Sequence, residues 1–254
     1  MRLARYSYAG SVAFGVVEGG EVLELPGHPF AAPGQQITTT GVVHDLDAVR
    51  LLAPVLPSKV IGIGKNYADH AAELGGEAPR QPLMFLKPTT AVIGQEDAIV
   101  LPPESTEVHF EAELAVVIGR LCRRVAAADA ASVILGYTCA NDVTARDLQR
   151  LDGQWTRAKG FDTFCPLGPW IDTDLDPADV VVECEVNAVT TQRESTATLI
   201  HSVPALVEAV SAVMTLLPGD VILTGTPAGV GPLAPGDEVA VTVAGLGTLV
   251  NRVR

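Results

Sequence analysis

Apolar positions in this chain fall mostly at alternate residues or in short unbroken runs, the pattern of strands, and only once in a sustained helical rhythm. Residues 12–25 carry two strand-like runs on either side of Glu18, Gly19, Gly20 and Glu21, which predicts a hairpin. Residues 45–52 are predicted to form a short helix that Pro54 and Pro57 end. Those prolines divide a small β-rich unit, 1–55, from a main domain, 56–254. The main domain opens on a buried-strand pattern at 59–64. Residues 66–82 then become polar and small, with Gly75, Gly76, Pro79 and Pro82, which predicts a loop carrying one or two helical turns and able to close as a lid. Strand patterns follow at 83–87, 91–94, 108–118 and 135–141, with a short helix at 129–134. The helical rhythm runs through Val203, Leu206, Val207, Val210, Val213, Met214 and Leu217, with Ser202 as N-cap and Pro218-Gly219 as its end. Many strands, few helices and no regular strand–helix alternation predict a mixed, β-rich α+β fold.

Residues 108–118 hold the first candidate chemistry. Alternation puts Val108, Phe110, Ala112, Leu114, Val116 and Ile118 on one face. His109, Glu111, Glu113, Ala115 and Val117 take the other. Two readings compete for this second face: a solvated surface, or a half-buried carboxylate pair whose repulsion a divalent cation neutralises. Asp142, ending the apolar run 135–141, is either a helix N-cap or a third carboxylate for the same ion. Three carboxylates without cysteine suit Mg²⁺ or Mn²⁺ better than Zn²⁺.

Acid–base and cationic candidates lie nearby in the sequence. His70 and Glu73, three apart in a short helix, are a surface pair or an imidazole tuned by a carboxylate for proton transfer. Lys159 either reaches solvent or faces a developing oxyanion. Arg146 and Gln149 line the same pocket or pair with each other. The Gly- and Thr-rich stretch 223–231 is a structural turn or a cradle in which backbone N–H groups and the Thr226 hydroxyl meet a carboxylate. It lacks the Lys-Ser/Thr of a P-loop, Gly62-Ile63-Gly64 lacks the third glycine of a dinucleotide fingerprint, and no G-x-S-x-G of a serine hydrolase occurs.

Composition narrows the class. Of 254 residues 48% are apolar and 19% charged, which excludes a disordered chain. Asp and Glu number 30 against 17 Lys and Arg, a net charge of -13, so nucleic acid and anionic membrane surfaces are poor partners. The longest apolar runs fall far short of the ~20 residues of a membrane span, and the N-terminus lacks the pattern of a secretory signal. A cytoplasmic location is expected. Cys122, Cys139, Cys165 and Cys184 are widely spaced and read as buried thiols of a reducing compartment.

Taken in order, six segments resemble the fumarylacetoacetate hydrolase family. They are Gly64-Lys65-Asn66-Tyr67-Ala68-Asp69-His70, Phe85-Leu86-Lys87-Pro88, the strand from Glu111 to Gly119, the stretch from Gly136-Tyr137 to Asp142-Val143-Thr144-Ala145-Arg146-Asp147, Trp155-Thr156-Arg157-Ala158-Lys159, and Leu223-Thr224-Gly225-Thr226-Pro227. They span roughly four-fifths of the chain. The resemblance implies a catalytic domain of rolled mixed sheets, usually in a homodimer. It implies that Glu111, Glu113 and Asp142 hold Mg²⁺ or Mn²⁺, that His70 and Glu73 form a lid dyad, that Lys159 and Gln149 face the substrate, and that Thr226 meets its carboxylate. The N-terminal unit is much smaller than that of fumarylacetoacetase itself. That favours the smaller members, which act on acylpyruvates, oxaloacetate or 2-hydroxyhepta-2,4-diene-1,7-dioate: hydrolysis, isomerisation, or tautomerisation and decarboxylation of a small anionic 2-oxo acid. A homodimer that binds metal and ligand without turnover is the expectation from another class.

Overall fold

The computed structural model describes residues 1–30, 37–73, 75 and 79–254. Part of the predicted lid, at 74 and 76–78, lies outside the described residues. Twelve strands form one large sheet. Its main path runs, by strand, Val43–Asp45, Glu21–Glu24, Ser11–Glu18, Arg2–Tyr8, Cys165–Asp172, Ile134–Asn141, Ala112–Ile118, Val221–Leu223, Val60–Gly64 and Leu83–Lys87. Pairing is antiparallel along this path except where Val221–Leu223 runs parallel to Val60–Gly64. A five-stranded sheet (Val189–Ser195, Val181–Val186, Glu238–Val243, Gly247–Val253 and Ala98–Ile99) packs against it. The strand-rich α+β expectation holds.

The N-terminal strands extend the main sheet: Arg2 pairs with Asp172 and Leu3 with Ile171. The predicted hairpin forms with Glu18 opposite Glu21. Gly19 and Gly20 both have positive φ, +58° and +88°, as the tight turn between twisted strands requires. Residues 45–52 are a correction. Only a single 3-10 turn, Leu46–Ala48, forms behind an Asp45 cap. Arg50–Leu52 is then captured as a strand by Ser7, Tyr6 and Arg5. The predicted helix at 129–134 is a 3-10 helix, Ala127–Ser132.

The long helix is Val203–Val213, and it stops four residues before the predicted end. Leu216 leaves the helical path to exchange backbone hydrogen bonds with Cys122, at 3.0 and 2.9 Å. The apolar residues at 214–217 therefore continue a core contact and not a helix. All four cysteines are buried and free.

The strand predicted at 108–118 breaks at Glu111. Val108–Phe110 joins a small sheet with Thr144–Ala145 and Gly231–Pro232, and Ala112–Ile118 joins the large one. The two-face division survives the break. Val108, Phe110, Ala112, Leu114, Val116 and Ile118 enter one core with the second sheet and the long helix. Ala115 and Val117 enter another with Leu167, Ile171, Val221 and Leu223. Apolar layers on both sides bury the strand from Phe110 to Ile118, so its carboxylates are largely withdrawn from water.

Candidate active site

Glu111 and Glu113 flank the start of the strand Ala112–Ile118, and Asp142 follows the neighbouring strand Ile134–Asn141. The break at Glu111 has a local cause. Its N–H is taken by the Asn141 side chain at 2.9 Å, while its carbonyl accepts from Asp142 N at 2.8 Å. This pairing brings one oxygen from each of Glu111, Glu113 and Asp142 within 4.8 Å of the others, all three residues buried. Asp142 caps no helix, since the helix Arg146–Asp152 begins after Ala145.

Three buried cations surround the triad. Lys159 Nζ donates to Glu111 Oε2 at 2.7 Å and to Asp142 Oδ2 at 2.5 Å, and lies 4.8 Å from the centre of the Phe85 ring. Lys87 Nζ donates to Asp142 Oδ1 at 2.5 Å and to Val143 O at 3.2 Å. Arg146 donates to Glu111 Oε1 at 2.5 Å and to Gln149 Oε1 at 2.6 Å, so Arg146 and Gln149 both line the pocket and pair with each other. Burial pushes the Glu111 carboxyl up, but Lys159 and Arg146 outweigh it and hold it well below its usual range. Burial pushes the Lys159 ammonium down, and Asp142 and Glu111 reverse that.

Glu113 differs. Among the described residues no cation pairs with it, and it accepts a single hydrogen bond, from Gly225 N at 2.6 Å. Burial, then repulsion from Asp142 and Glu111, drives its pKa well above the carboxylate range. A buried carboxylate beside two others, all-oxygen donors and no thiol is the environment of a hard divalent cation. The residues present fit Mg²⁺ or Mn²⁺. Beside the triad, the N–H groups of Asn141 Nδ2 and Arg146 Nε are buried without a hydrogen-bond partner among the described residues.

His70 lies on the short helix Ala68–Glu73 and reaches the pocket. Its Nδ1 is 3.0 Å from Glu73 Oε2, and Glu73 Oε1 accepts from Gly229 N at 3.1 Å. Glu73 thus orients the ring and ties this helix to the loop after Leu223. Thr226 lines the pocket too, but its hydroxyl donates to Ala112 O at 2.8 Å and accepts from Gln192 Nε2 at 2.8 Å. The hydrogen expected for a ligand carboxylate is already committed to the strand.

Several site residues lacked any role in the sequence reading. Lys87 lay inside a matching segment, but nothing local marks a lysine as buried. Gln192 bonds Ala112 N at 2.9 Å and Pro227 O at 2.7 Å, locking the loop onto the carboxylate strand. Asn66 bonds His201 O, Thr224 O and His201 N at 3.0, 2.8 and 2.8 Å. Gly62 and Gly64 have a packing role. A Cβ at either would strike Phe85 or Trp155 at 2.1 or 2.5 Å, so the bare strand is the seat of the two rings that wall the pocket.

Residues 59–254 match the family described as fumarylacetoacetate (FAA) hydrolase, C-terminal, and residues 1–54 match one described as Rv2993c-like, N-terminal. The chain is 55% identical to Protein Rv2993c of Mycobacterium tuberculosis, over 100% of this chain and 98% of that one. It is 44% identical to the mitochondrial oxaloacetate tautomerase Fahd2a of Rattus norvegicus, over 81% of this chain and 69% of that one. Among solved structures, it resembles a 5-carboxymethyl-2-hydroxymuconate delta-isomerase from Mycobacterium smegmatis, with a TM-score of 0.93, 56% identity and coverage of 100% and 99%. A 2-hydroxyhepta-2,4-diene-1,7-dioate isomerase from Mycobacterium marinum gives 0.92, 53%, and 100% and 98%. A maleylpyruvate hydrolase from Sphingobium sp. SYK-6, in complex with manganese(II) and pyruvate, gives 0.81, 34%, and 100% and 98%. Among the described residues no helix is long and apolar enough to cross a membrane.

Proposed function

The chain belongs to the fumarylacetoacetate hydrolase family, and from that premise we propose a divalent-metal-dependent enzyme acting on 2-oxo or 2,4-dioxo acids or their enols. The observation that carries the reading is the buried triad Glu111, Glu113 and Asp142, one member without a cation partner, beside an oriented His70–Glu73 pair. Glu111, Glu113 and Asp142 would hold Mg²⁺ or Mn²⁺. When bound, such an ion supplies a Lewis acid for the carboxylate and 2-oxo oxygens, worth on the order of several kcal/mol.

The protein side of the chemistry is proton movement in a closed site. Glu73 accepts the Nδ1 proton of His70, which leaves Nε2 as the base. In hydrolysis of an acylpyruvate, Nε2 takes a proton from water as its oxygen attacks the distal carbonyl. The C–C bond then breaks and its electron pair leaves as the enolate of pyruvate. In isomerisation of 2-hydroxyhepta-2,4-diene-1,7-dioate, the same nitrogen carries a proton from oxygen to carbon. Lys159 and Arg146 offset negative charge at the reacting end. Phe85 and Trp155, with ring centres 5.3 Å apart, wall the pocket with apolar surface.

A second reading, tautomerisation or decarboxylation of oxaloacetate, is supported by the oxaloacetate tautomerases among the relatives. We take the acting form to be a homodimer. The test follows the ultraviolet enol absorbance of a panel of 2,4-dioxo acids, oxaloacetate and the heptadienedioate, with Mg²⁺, Mn²⁺ or EDTA. Metal-dependent loss of one enol, followed by product analysis, supports the reading and selects its branch. Metal binding without turnover of any member overturns it in favour of a binding protein.

A further inference from the structure

A cavity of about 390 Å³ lies between the start of the strand Ile134–Asn141, the turn Thr196–Thr198 and the start of the long helix. It shares no lining residue with the triad pocket. Its volume is within the range of small-molecule sites. Ile134, Pro177, Leu199, Val203 and Pro204 give it an apolar wall.

Two polar groups interrupt that wall. Tyr137 is only 8% exposed, yet its hydroxyl makes no hydrogen bond among the described residues. Burial, then the charge of Asp176, pushes this hydroxyl up to about 12, so it remains a neutral donor. Asp176 lines the same cavity. It accepts from Ala178 N at 3.0 Å, and among the described residues no cation pairs with it.

The lining selects the charge of an occupant. It holds no Lys, Arg or His, so an anion would meet Asp176 uncompensated. The helix Val203–Val213 starts at the cavity behind Ser202, whose side chain accepts no capping hydrogen bond, and the positive end of its dipole opposes a cation. What fits is an uncharged head that accepts from Tyr137 and donates to Asp176, as a hydroxyl does.

One wall of the cavity is also tied to the candidate active site. Leu199 forms a bridge with Tyr67, and Ile200 N donates to Asn66 O at 2.8 Å. His201 N donates to Asn66 Oδ1 at 2.8 Å. Asn66 and Tyr67 lead directly into the helix Ala68–Glu73, which carries His70 and Glu73.

We infer that this cavity is a second ligand site, for an uncharged molecule with an apolar body and one hydroxyl head, and that its occupancy steadies the helix carrying His70.

The test is calorimetric titration of the wild-type protein with 2-naphthylmethanol, 2-naphthylmethylammonium and 2-naphthoate, which share a ring system and differ in the charge of the head. Cavity binding is the part that Ala197→Trp removes, since Ala197 is an exposed residue of the lining and stands outside the triad pocket. The alcohol is expected to bind there about tenfold more tightly than either charged compound, each of which meets an opposing charge. Tyr137→Phe keeps the ring and is expected to weaken the alcohol by roughly three- to tenfold, the scale of one net hydrogen bond. With the alcohol bound, amide exchange at 67–73 is expected to slow. Absence of binding, or an affinity for the alcohol unchanged in Ala197→Trp, overturns the site. Tighter cavity binding of either charged compound overturns the ligand class, and an affinity unchanged in Tyr137→Phe overturns the role of its hydroxyl. Binding with unaltered exchange at 67–73 overturns the link to the helix.

Discussion

Gly225 donates its backbone N–H to Glu113 Oε2 at 2.6 Å, across 112 residues of chain. The contact joins the loop after Val221–Leu223 to the carboxylate strand. A glycine is required there. Its φ is +101°, and a Cβ would lie 2.7 Å from Asn66 Cβ. The one bond that Glu113 accepts thus depends on the absence of a side chain elsewhere.

Replacing that glycine should therefore cost both stability and metal affinity. Gly225→Ala is expected to lose about 1–3 kcal/mol through backbone strain and the clash with Asn66, lowering Tm by roughly 2–4 °C per kcal/mol for a chain of this size. Mn²⁺ affinity should weaken as the loop shifts. Thermal melts and metal titration of the variant check both.

Glu113→Gln should separate charge from packing. In the metal-free protein the substitution replaces a carboxyl whose ionisation burial, Asp142 and Glu111 all oppose, while an amide oxygen still accepts from Gly225, so Tm is expected to hold or rise. Wild-type protein at a hundredfold excess of metal over Kd gains about 2.7 kcal/mol from binding. The variant should show no such shift and no turnover. A metal-induced shift equal to the wild type's would show that Glu113 is not a ligand.

His70→Asn is expected to act on rate alone. Loss of general base catalysis typically costs roughly 10²–10⁴-fold, so kcat for hydrolysis or isomerisation should fall by that order. The metal-dependent rise in Tm should remain, since His70 is not in the carboxylate set. Any decarboxylation of oxaloacetate should survive in part. Parallel stopped-flow and melting measurements distinguish this from general damage.

Asp147 gives an acid-side prediction. Slight burial pushes its carboxyl up, but hydrogen bonds from the Ser105 hydroxyl and the Thr106 and Leu148 amides prevail and bring it down to about 2. A folded pKa below the unfolded value means stability that is present above the unfolded pKa, near 4, and is lost as pH falls towards 2. These bonds anchor the helix Arg146–Asp152, which carries Arg146 and Gln149. The stability difference between wild type and Asp147→Asn, from urea midpoints, should shrink as pH falls through this window. A constant difference would assign the effect of Asp147 to something other than its charge.

What the sequence alone determined was local and periodic. Alternation along 108–118 sorts side chains between two faces because a strand repeats every two residues, and the sorting survives the break at Glu111. The hairpin at Gly19-Gly20 follows from backbone freedom that two adjacent glycines carry with them. The carboxylates, His70 and Lys159 stood out as charged residues in apolar or turn-rich surroundings, and the matching segments named them together. Tertiary structure decided whatever depends on a distant backbone. Residues 50–52 are a strand because Arg5, Tyr6 and Ser7 offer an edge, and the long helix stops at Val213 because Cys122 captures Leu216. Lys87, Gln192 and Asn66 belong to the site through hydrogen bonds to partners 55, 80 and 158 residues away. No local pattern marks such a residue, because a buried lysine or amide is stabilised by partners that only the folded chain brings within reach.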